Sequence, residues 1–297
     1  MTSMLEGPFL VTGASGQLGR LVLDRLLDQG AQSVIATTRT PENLAAYAER
    51  GVEVRRADFN EPDSLKEAFA GARRMLLIST SDLEPGKRLE SHLVAIDAAA
   101  AAGVEHIVYT SLTNPREDSP ITFAGDHKGT EEKLAACGIP HTILRNNLYM
   151  DLLLMSGPQA IGAGKLFAAA ADGKVGYVTR ADCAAAAAAA LLHEKSSATY
   201  DVTGPGLVSM HDVAALLSSL TDKTIPYIPI SASELEAAMV EHGMPAIMAK
   251  LLASIDEGIA AGHLAVSSPT VHDLTGSQPM SAEEFLRANS AALAGEQ

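Results

Sequence analysis

Nine residues near the N-terminus, Val11-Thr12-Gly13-Ala14-Ser15-Gly16-Gln17-Leu18-Gly19, narrow the folds open to this chain more than any other stretch. The apolar run just before and into them, Phe9 to Thr12, reads as a strand. Gly19 to Gln29 follows, and its Leu21, Val22, Leu26 and Leu27 recur with a helical period. The chain therefore turns from strand to helix through a glycine-rich loop. Gly13 permits the tight turn, Gly16 lets a pyrophosphate approach the backbone with no Cβ between them, and Gly19 lets the helix pack close to the strand. The N–H groups that open the helix then face the phosphates. Glycines at this spacing also occur in ordinary turns, but the strand–turn–helix setting makes a dinucleotide the expected ligand.

The pattern continues for about half the chain. Ser33 to Thr37, Val52 to Arg55, Met75 to Ser79, His106 to Thr110 and Thr142 to Leu144 read as strands. Glu42 to Arg50, Pro62 to Phe69, Leu89 to Ala102 and Thr122 to Cys137 read as helices. Strands that alternate with helices and read as apolar runs predict a parallel sheet covered on both faces. Right-handed crossovers then leave the doubly wound, Rossmann-type α/β fold. The second half is less regular. Val175 to Val178 and Thr199 to Val202 could return to the sheet, with the alanine-rich helix Asp182 to Glu194 between them. Pro226 to Ile230, Ser233 to His242 and Pro245 to Ala261 suggest a small α+β cap. The expected division is a dinucleotide-binding domain over 1–145, joined by 175–204, with 146–174 and 205–297 forming a smaller substrate domain.

Composition removes several function classes. A formal charge of −14, no basic run beyond Arg55-Arg56 and Arg73-Arg74, and no Trp argue against nucleic acid. The longest apolar stretches, such as Ala184 to Leu192, fall short of a bilayer span. No signal peptide is expected. Cys137 and Cys183 are far apart and in no CxxC spacing, which suits a reducing cytoplasm. No HExxH, CxxC or clustered His/Asp/Glu set is present, so no metal is expected.

About twenty residues after the glycine loop, where an acid would bind the ribose of NAD, the chain reads Ala36-Thr37-Thr38-Arg39. A guanidinium there suits the 2′-phosphate of NADP(H), or is a solvated surface arginine. Asp58 and Phe59, after the third strand, either border an adenine or serve as helix cap and core aromatic. Ser79 and Thr80 end the fourth strand, where the chain would pass the nicotinamide ribose.

Together, Val11 to Gly19, Arg39, Ala57-Asp58-Phe59, Leu76 to Ser79, Tyr109-Thr110-Ser111, Leu144 to Tyr149 and Val178 to Asp182 resemble the NmrA-like atypical short-chain dehydrogenases. The likeness covers most of the chain and leans towards the quinone-reductase and triphenylmethane-dye-reductase branches. It implies an NADP-binding domain and a cleft for a hydride acceptor. In that likeness Gly13, Ser15, Gly16, Gln17 and Leu18 touch the diphosphate, Arg39 the 2′-phosphate, and Ser79 and Thr80 the ribose. Asn146 and Tyr149 lie near the acceptor. Short-chain dehydrogenases usually carry Tyr-x-x-x-Lys after the fifth strand; the matching residues here are Phe123-Ala124-Gly125-Asp126-His127. Phe123 has no proton to donate, which disfavours ketone chemistry and leaves reduction of a quinone or similar planar electrophile. His127 either lies near the transferring hydride or is a helix-surface histidine without a role. Tyr149 either meets the acceptor ring or is a core tyrosine. Ser111 matches the dehydrogenase serine loosely and, without the tyrosine, reads as structural. Two alternatives stay open: a redox sensor that binds NADP(H) without turnover, and a reductase or lyase of another aromatic metabolite. A homodimer is also left open.

Overall fold

The computed structural model describes residues 7–221 and 223–293. Up to residue 146 it alternates strand and helix: β1 (Phe9–Val11), α1 (Gln17–Asp28), β2 (Val34–Thr38), α2 (Ala45–Glu49), β3 (Glu53–Arg56), α3 (Pro62–Ala68), β4 (Arg74–Leu77), α4 (Lys87–Ala101), β5 (His106–Leu112), α5 (Ala124–Ala136) and β6 (His141–Asn146). Then come α6 (Asp151–Ala163), β7 (Leu166–Ala168), β8 (Lys174–Val175), α7 (Arg180–His193), β9 (Ala198–Val202), β10 (Val208–Ser209), α8 (Met210–Thr221) and β11 (Tyr227–Pro229). Five helices close the chain: α9 (Ala232–Glu241), α10 (Ala246–Ala260), α11 (Thr270–Thr275), α12 (Ala282–Ala288) and α13 (Ser290–Leu293).

Among the described residues, seven strands form one sheet in the order β3-β2-β1-β4-β5-β6-β9. Every neighbouring pair in it is parallel. The expected doubly wound α/β fold is therefore present. Alternate residues of each strand feed different cores, as strand geometry requires. Val11, Ala36, Leu76 and Val108 pack with α1 and α7, while Leu10, Ile35, Met75 and Ile107 pack with α3, α4 and α5. Ala184 and Ala186 to Ala190 of α7 are buried against α1 and the sheet, where short side chains permit a close approach. Truncating Leu23 or Leu26 in that layer would cost about 2–5 kcal/mol.

Thr199 to Val202 joins the sheet as β9, but Val175 does not. It pairs antiparallel with Val208 in a separate two-stranded sheet. The position beside β6 is already taken by β9, and Gly176 lies so close to the Val266 carbonyl that a side chain there would collide with it. A second small sheet pairs β7 with β11. These two sheets with α6, α8, α10 and α12 enclose their own apolar core, including Leu153, Tyr177, Val213, Ile259 and Leu286. No described helix is long and apolar enough to cross a membrane.

Strand order reverses at β1, with β2 on one side and β4 on the other. In open α/β sheets ligands settle at the carboxyl ends of the strands beside such a reversal. The glycine loop leaves β1 at that point.

Candidate functional site

A cleft of about 650 Å³ opens at the reversal. The glycine loop forms its floor. Arg39, Asp58 and Phe59 line it on the β2–β3 side, and Ser79, Thr80 and Thr110 on the β4–β5 side. Tyr149 and Arg180 complete the lining.

The loop is held by its backbone. Gly13 has φ +58°, a conformation that glycine adopts without strain. Gly16 N–H donates to Gly13 O at 3.0 Å, and Ala14 N–H to Thr37 O at 3.1 Å. Thr12 ties the loop to β4: its hydroxyl donates to Leu76 O at 3.1 Å and accepts from Ile78 N at 3.0 Å. A methyl group on Gly19 would stand 2.5 Å from Gly13 O and 2.7 Å from Ala14 Cα, so the helix can approach only as glycine. Gly16 caps α1 without a side-chain hydrogen bond, which leaves the first N–H groups of the helix for a ligand. Of the residues expected at the diphosphate, Gly13, Ser15, Gly16, Gln17 and Leu18 all line the cleft, as does Gly19.

On the β2 side, the Ser15 and Thr38 hydroxyls bond at 2.8 Å and fix the loop against the strand end. Arg39 follows Thr38; it is exposed and, among the described residues, has no ion-pair or hydrogen-bond partner. By contrast, nearby Arg56 pairs with Glu61 through both terminal nitrogens, at 2.8 and 3.0 Å. Asp58 Oδ1 accepts from Asn60 N at 3.0 Å, so this carboxylate organises a turn while also lining the cleft. Phe59 packs on the α3–α4 core and likewise reaches the cleft. Asp58 is not the cap of α3, whose N-cap residue is Glu61; its carboxylate serves the turn before it, while Phe59 does join the core.

On the β4 side, Ser79 N–H donates to Thr110 Oγ1 at 2.9 Å and Thr80 N–H to His92 Nε2 at 3.0 Å. Thr80 Oγ1 is buried with no partner. Buried polar atoms are rarely left so, and a bound ligand is one way to satisfy this one. Tyr149 packs one ring face against Arg180, whose Cζ lies 4.6 Å from the ring centroid. Arg180 in turn is ion-paired with Asp151. Thr179 caps α7 by accepting from Asp182 N at 3.0 Å, which places Arg180 in the first turn at the cleft. Burial raises the Tyr149 phenol well above its ordinary range, so it remains a hydrogen-bond donor.

Three expected residues stand away from the cleft lining. Asn146 is buried behind Tyr149, donating to its Oη at 3.3 Å, and its own Oδ1 has no partner. The Ser111 hydroxyl donates to Glu131 at 2.6 Å, beside the Glu131–Arg145 ion pair, and so is tied into structure. His127 is only 3% exposed, so it is no surface histidine. Its Nδ1 bonds Tyr109 Oη at 2.7 Å and its Nε2 faces Arg88 Nη1 at 3.3 Å. Burial, and then the Arg88 cation, push its pKa far down and keep it neutral. Conversely, Thr110, Ser91 and Arg180 line the cleft without having been singled out. Thr110 and Arg180 had a signal, their places in the Tyr109 to Ser111 and Val178 to Asp182 stretches that carry the family likeness; Ser91 had none.

Comparison with known proteins agrees with this geometry. Quinone oxidoreductase 2 of Escherichia coli strain K12 is 38% identical over 270 residues, covering 90% of this chain and 93% of that protein. The crystal structure of that enzyme complexed with NADPH has a TM-score of 0.90 at 36% identity, covering 95% of this chain and 99% of that one. Citrobacter triphenylmethane reductase complexed with NADP(H) has a TM-score of 0.89 at 34% identity, with the same coverage of 95% and 99%. An NAD(P)H azoreductase of Xenophilus azovorans is 28% identical over 286 residues, 95% of this chain and 98% of that protein. The profile of the NmrA-like family matches residues 7–286, a span that runs from just before β1 into α12. With fold, cleft and sequence in agreement over that length, the chain belongs to the NmrA-like family.

Proposed function

We propose that this protein is an NADPH-dependent oxidoreductase that reduces a quinone or a similarly planar electrophile. The observation that carries the proposal is one continuous cleft with a glycine cradle and an unpartnered Arg39 on one side and Tyr149 on the other. Gly13 turns the chain at positive φ, Gly19 lets α1 start against the loop, the first N–H groups of α1 are left uncapped by side chains, and Thr80 Oγ1 lacks a partner, so the residues present fit a dinucleotide. The relatives named above, described as complexes with NADPH and NADP(H), support the coenzyme assignment.

In this reading, backbone N–H groups from Gly16 to Leu18 and the start of α1 hold the diphosphate. Arg39 pairs with the 2′-phosphate, and Asp58 and Phe59 border the adenine. Ser79, Thr80 and Thr110 fix the nicotinamide ribose. When bound, the reduced coenzyme supplies a hydride. The acceptor gains that hydride and becomes a hydroquinone monoanion; one proton, from water or the Tyr149 hydroxyl, completes it. The resulting negative charge is delocalised, so the acceptor needs less acid catalysis than a ketone would. That agrees with Phe123 at the position where dehydrogenases place a tyrosine. Tyr149 Oη, protonated and backed by Asn146 Nδ2, would donate a hydrogen bond to an acceptor oxygen. The chain's main contribution is to hold two flat rings in register and keep water from intervening.

The test is direct. Purified protein with NADPH and a panel of quinones should consume the reduced-coenzyme absorbance over many turnovers, and simple ketones should not. Tight NADPH binding without oxidation by any quinone, dye or azo compound would make the protein a coenzyme sensor instead.

A further inference from the structure

Behind the β4 side of the cleft, buried polar groups make a closed circuit that begins and ends on the cleft wall. Thr80 N–H donates to His92 Nε2 at 3.0 Å. His92 Nδ1 lies 2.9 Å from Thr130 Oγ1 and 3.3 Å from Tyr109 Oη. Tyr109 Oη lies 2.7 Å from His127 Nδ1, and His127 Nε2 lies 3.3 Å from Arg88 Nη1. Arg88 Nη2 returns to Asp82 O at 3.2 Å. Thr80 and Asp82 both line the cleft. His92, Tyr109 and Thr130 are wholly buried.

The hydrogens can be assigned by elimination at both ends. A backbone N–H and a guanidinium can only donate. His92 Nε2 and His127 Nε2 must therefore both be bare acceptors, which places each ring's hydrogen on Nδ1. Both imidazoles must be neutral, and burial reinforced by the Arg88 cation keeps them so, with His92 pushed down to about 3. Apolar side chains would fill this space at lower cost in polar desolvation. A hydrogen-bonded buried network instead fixes one geometry; within it Arg88 Nε has no partner among the described residues, and the two ends of the network hold the same three-residue segment.

We infer that this circuit positions the Thr80–Asp82 wall for hydride transfer, with His92 and Arg88 acting as positioning residues through Thr80 N–H and Asp82 C=O. The inference rests on the proposed reductase function. It reassigns His127 from the reacting centre to the middle of the support. Loss of the circuit should misalign the reacting end of the coenzyme, while the glycine loop and Arg39 still retain the rest.

The test compares His92→Leu, which removes the acceptor for Thr80 N–H, with His92→Gln, whose Oε1 can replace Nε2. NADPH affinity is measured by calorimetry, separately from turnover with a quinone. His92→Leu should lower kcat about 10–100-fold, the scale expected for small misplacements, with the NADPH Kd within about threefold of wild type on the same reasoning. His92→Gln should recover most of kcat. If His92→Leu does not fold, Thr130→Val, nearly isosteric and remote from the cleft lining, should give the same split at smaller amplitude. A folded variant with wild-type kcat, or kcat and affinity falling in parallel without rescue by Gln, overturns the positioning role alone. A wild-type protein that binds NADPH but reduces no quinone overturns the functional reading and this inference with it.

Discussion

The two sides of the cleft are built in different ways. On the β2 side, backbone groups, the Ser15–Thr38 hydroxyl pair and one unpaired arginine come from neighbouring stretches of chain between Gly13 and Arg39, with Asp58 and Phe59 added from the turn after β3. On the β4 side, Ser79, Ser91, Thr110, Tyr149 and Arg180 arrive from separate elements and rest on a buried polar circuit. The first side recognises features common to dinucleotides and needs only local geometry. The second must align reacting atoms, and it depends on the whole fold. Binding and turnover should therefore separate when each side is perturbed.

The largest effect is expected on the first side. Gly19→Ala would put a methyl group against Gly13 O and Ala14 Cα, backbone atoms that cannot swing aside. Overpacking of this kind costs about 1–3 kcal/mol. Expressed at the upper end in binding, that is about a hundredfold in NADPH affinity. Calorimetry on the folded variant measures it. Unchanged affinity would mean that the helix start does not hold the diphosphate.

Arg39→Ala should come next. A charge-assisted hydrogen bond to a phosphate contributes about 1.5–3 kcal/mol, so NADPH affinity should fall about 10–100-fold while NADH affinity barely changes. Equal losses for both coenzymes would remove the 2′-phosphate assignment and make the β2 side indifferent to coenzyme type.

The same contrast explains what could be read from residue order. The alternating strands and helices up to β6 are legible because each has a local period. The glycine loop is legible because its purpose is met within nine residues. Arg39 stands out by spacing alone. Ser91 and Thr110 cannot be recognised this way, since only the sheet and α4 bring them to the cleft. The burial of His127 is hard to read from sequence for a definite reason: α5 buries His127 and Thr130 alongside Ala124 and Leu134, so its buried face is partly polar and gives little apolar periodicity. A chemically capable residue at a suggestive position then looks like part of the site, although its nitrogens are occupied by Tyr109 and Arg88. Farther along, α6 carries Pro158 within its span, a residue type that ordinarily interrupts a helix, so its local preference does not foretell the element.

The smallest predicted effect probes the second side through acid stability. His92 has a folded pKa of about 3, lowered chiefly by burial and then by Arg88, against about 6.5 for an unperturbed histidine. As pH falls through 6.5 the unfolded chain takes up the proton and the folded chain does not. Its contribution to folding is thus complete above about pH 6.5 and is lost progressively down to the folded pKa, at up to about 1.4 kcal/mol per pH unit. His127 behaves in the same direction. His92→Gln keeps an acceptor for Thr80 N–H but cannot titrate. Unfolding free energies from denaturant titrations between pH 6.5 and 5 should therefore fall less steeply in this variant, by about 1.4 kcal/mol per pH unit at most. An unchanged slope would mean that His92 is protonated in the folded chain. Its Nε2 could not then accept from Thr80, and the β4 wall would lose the support that distinguishes it from the β2 side.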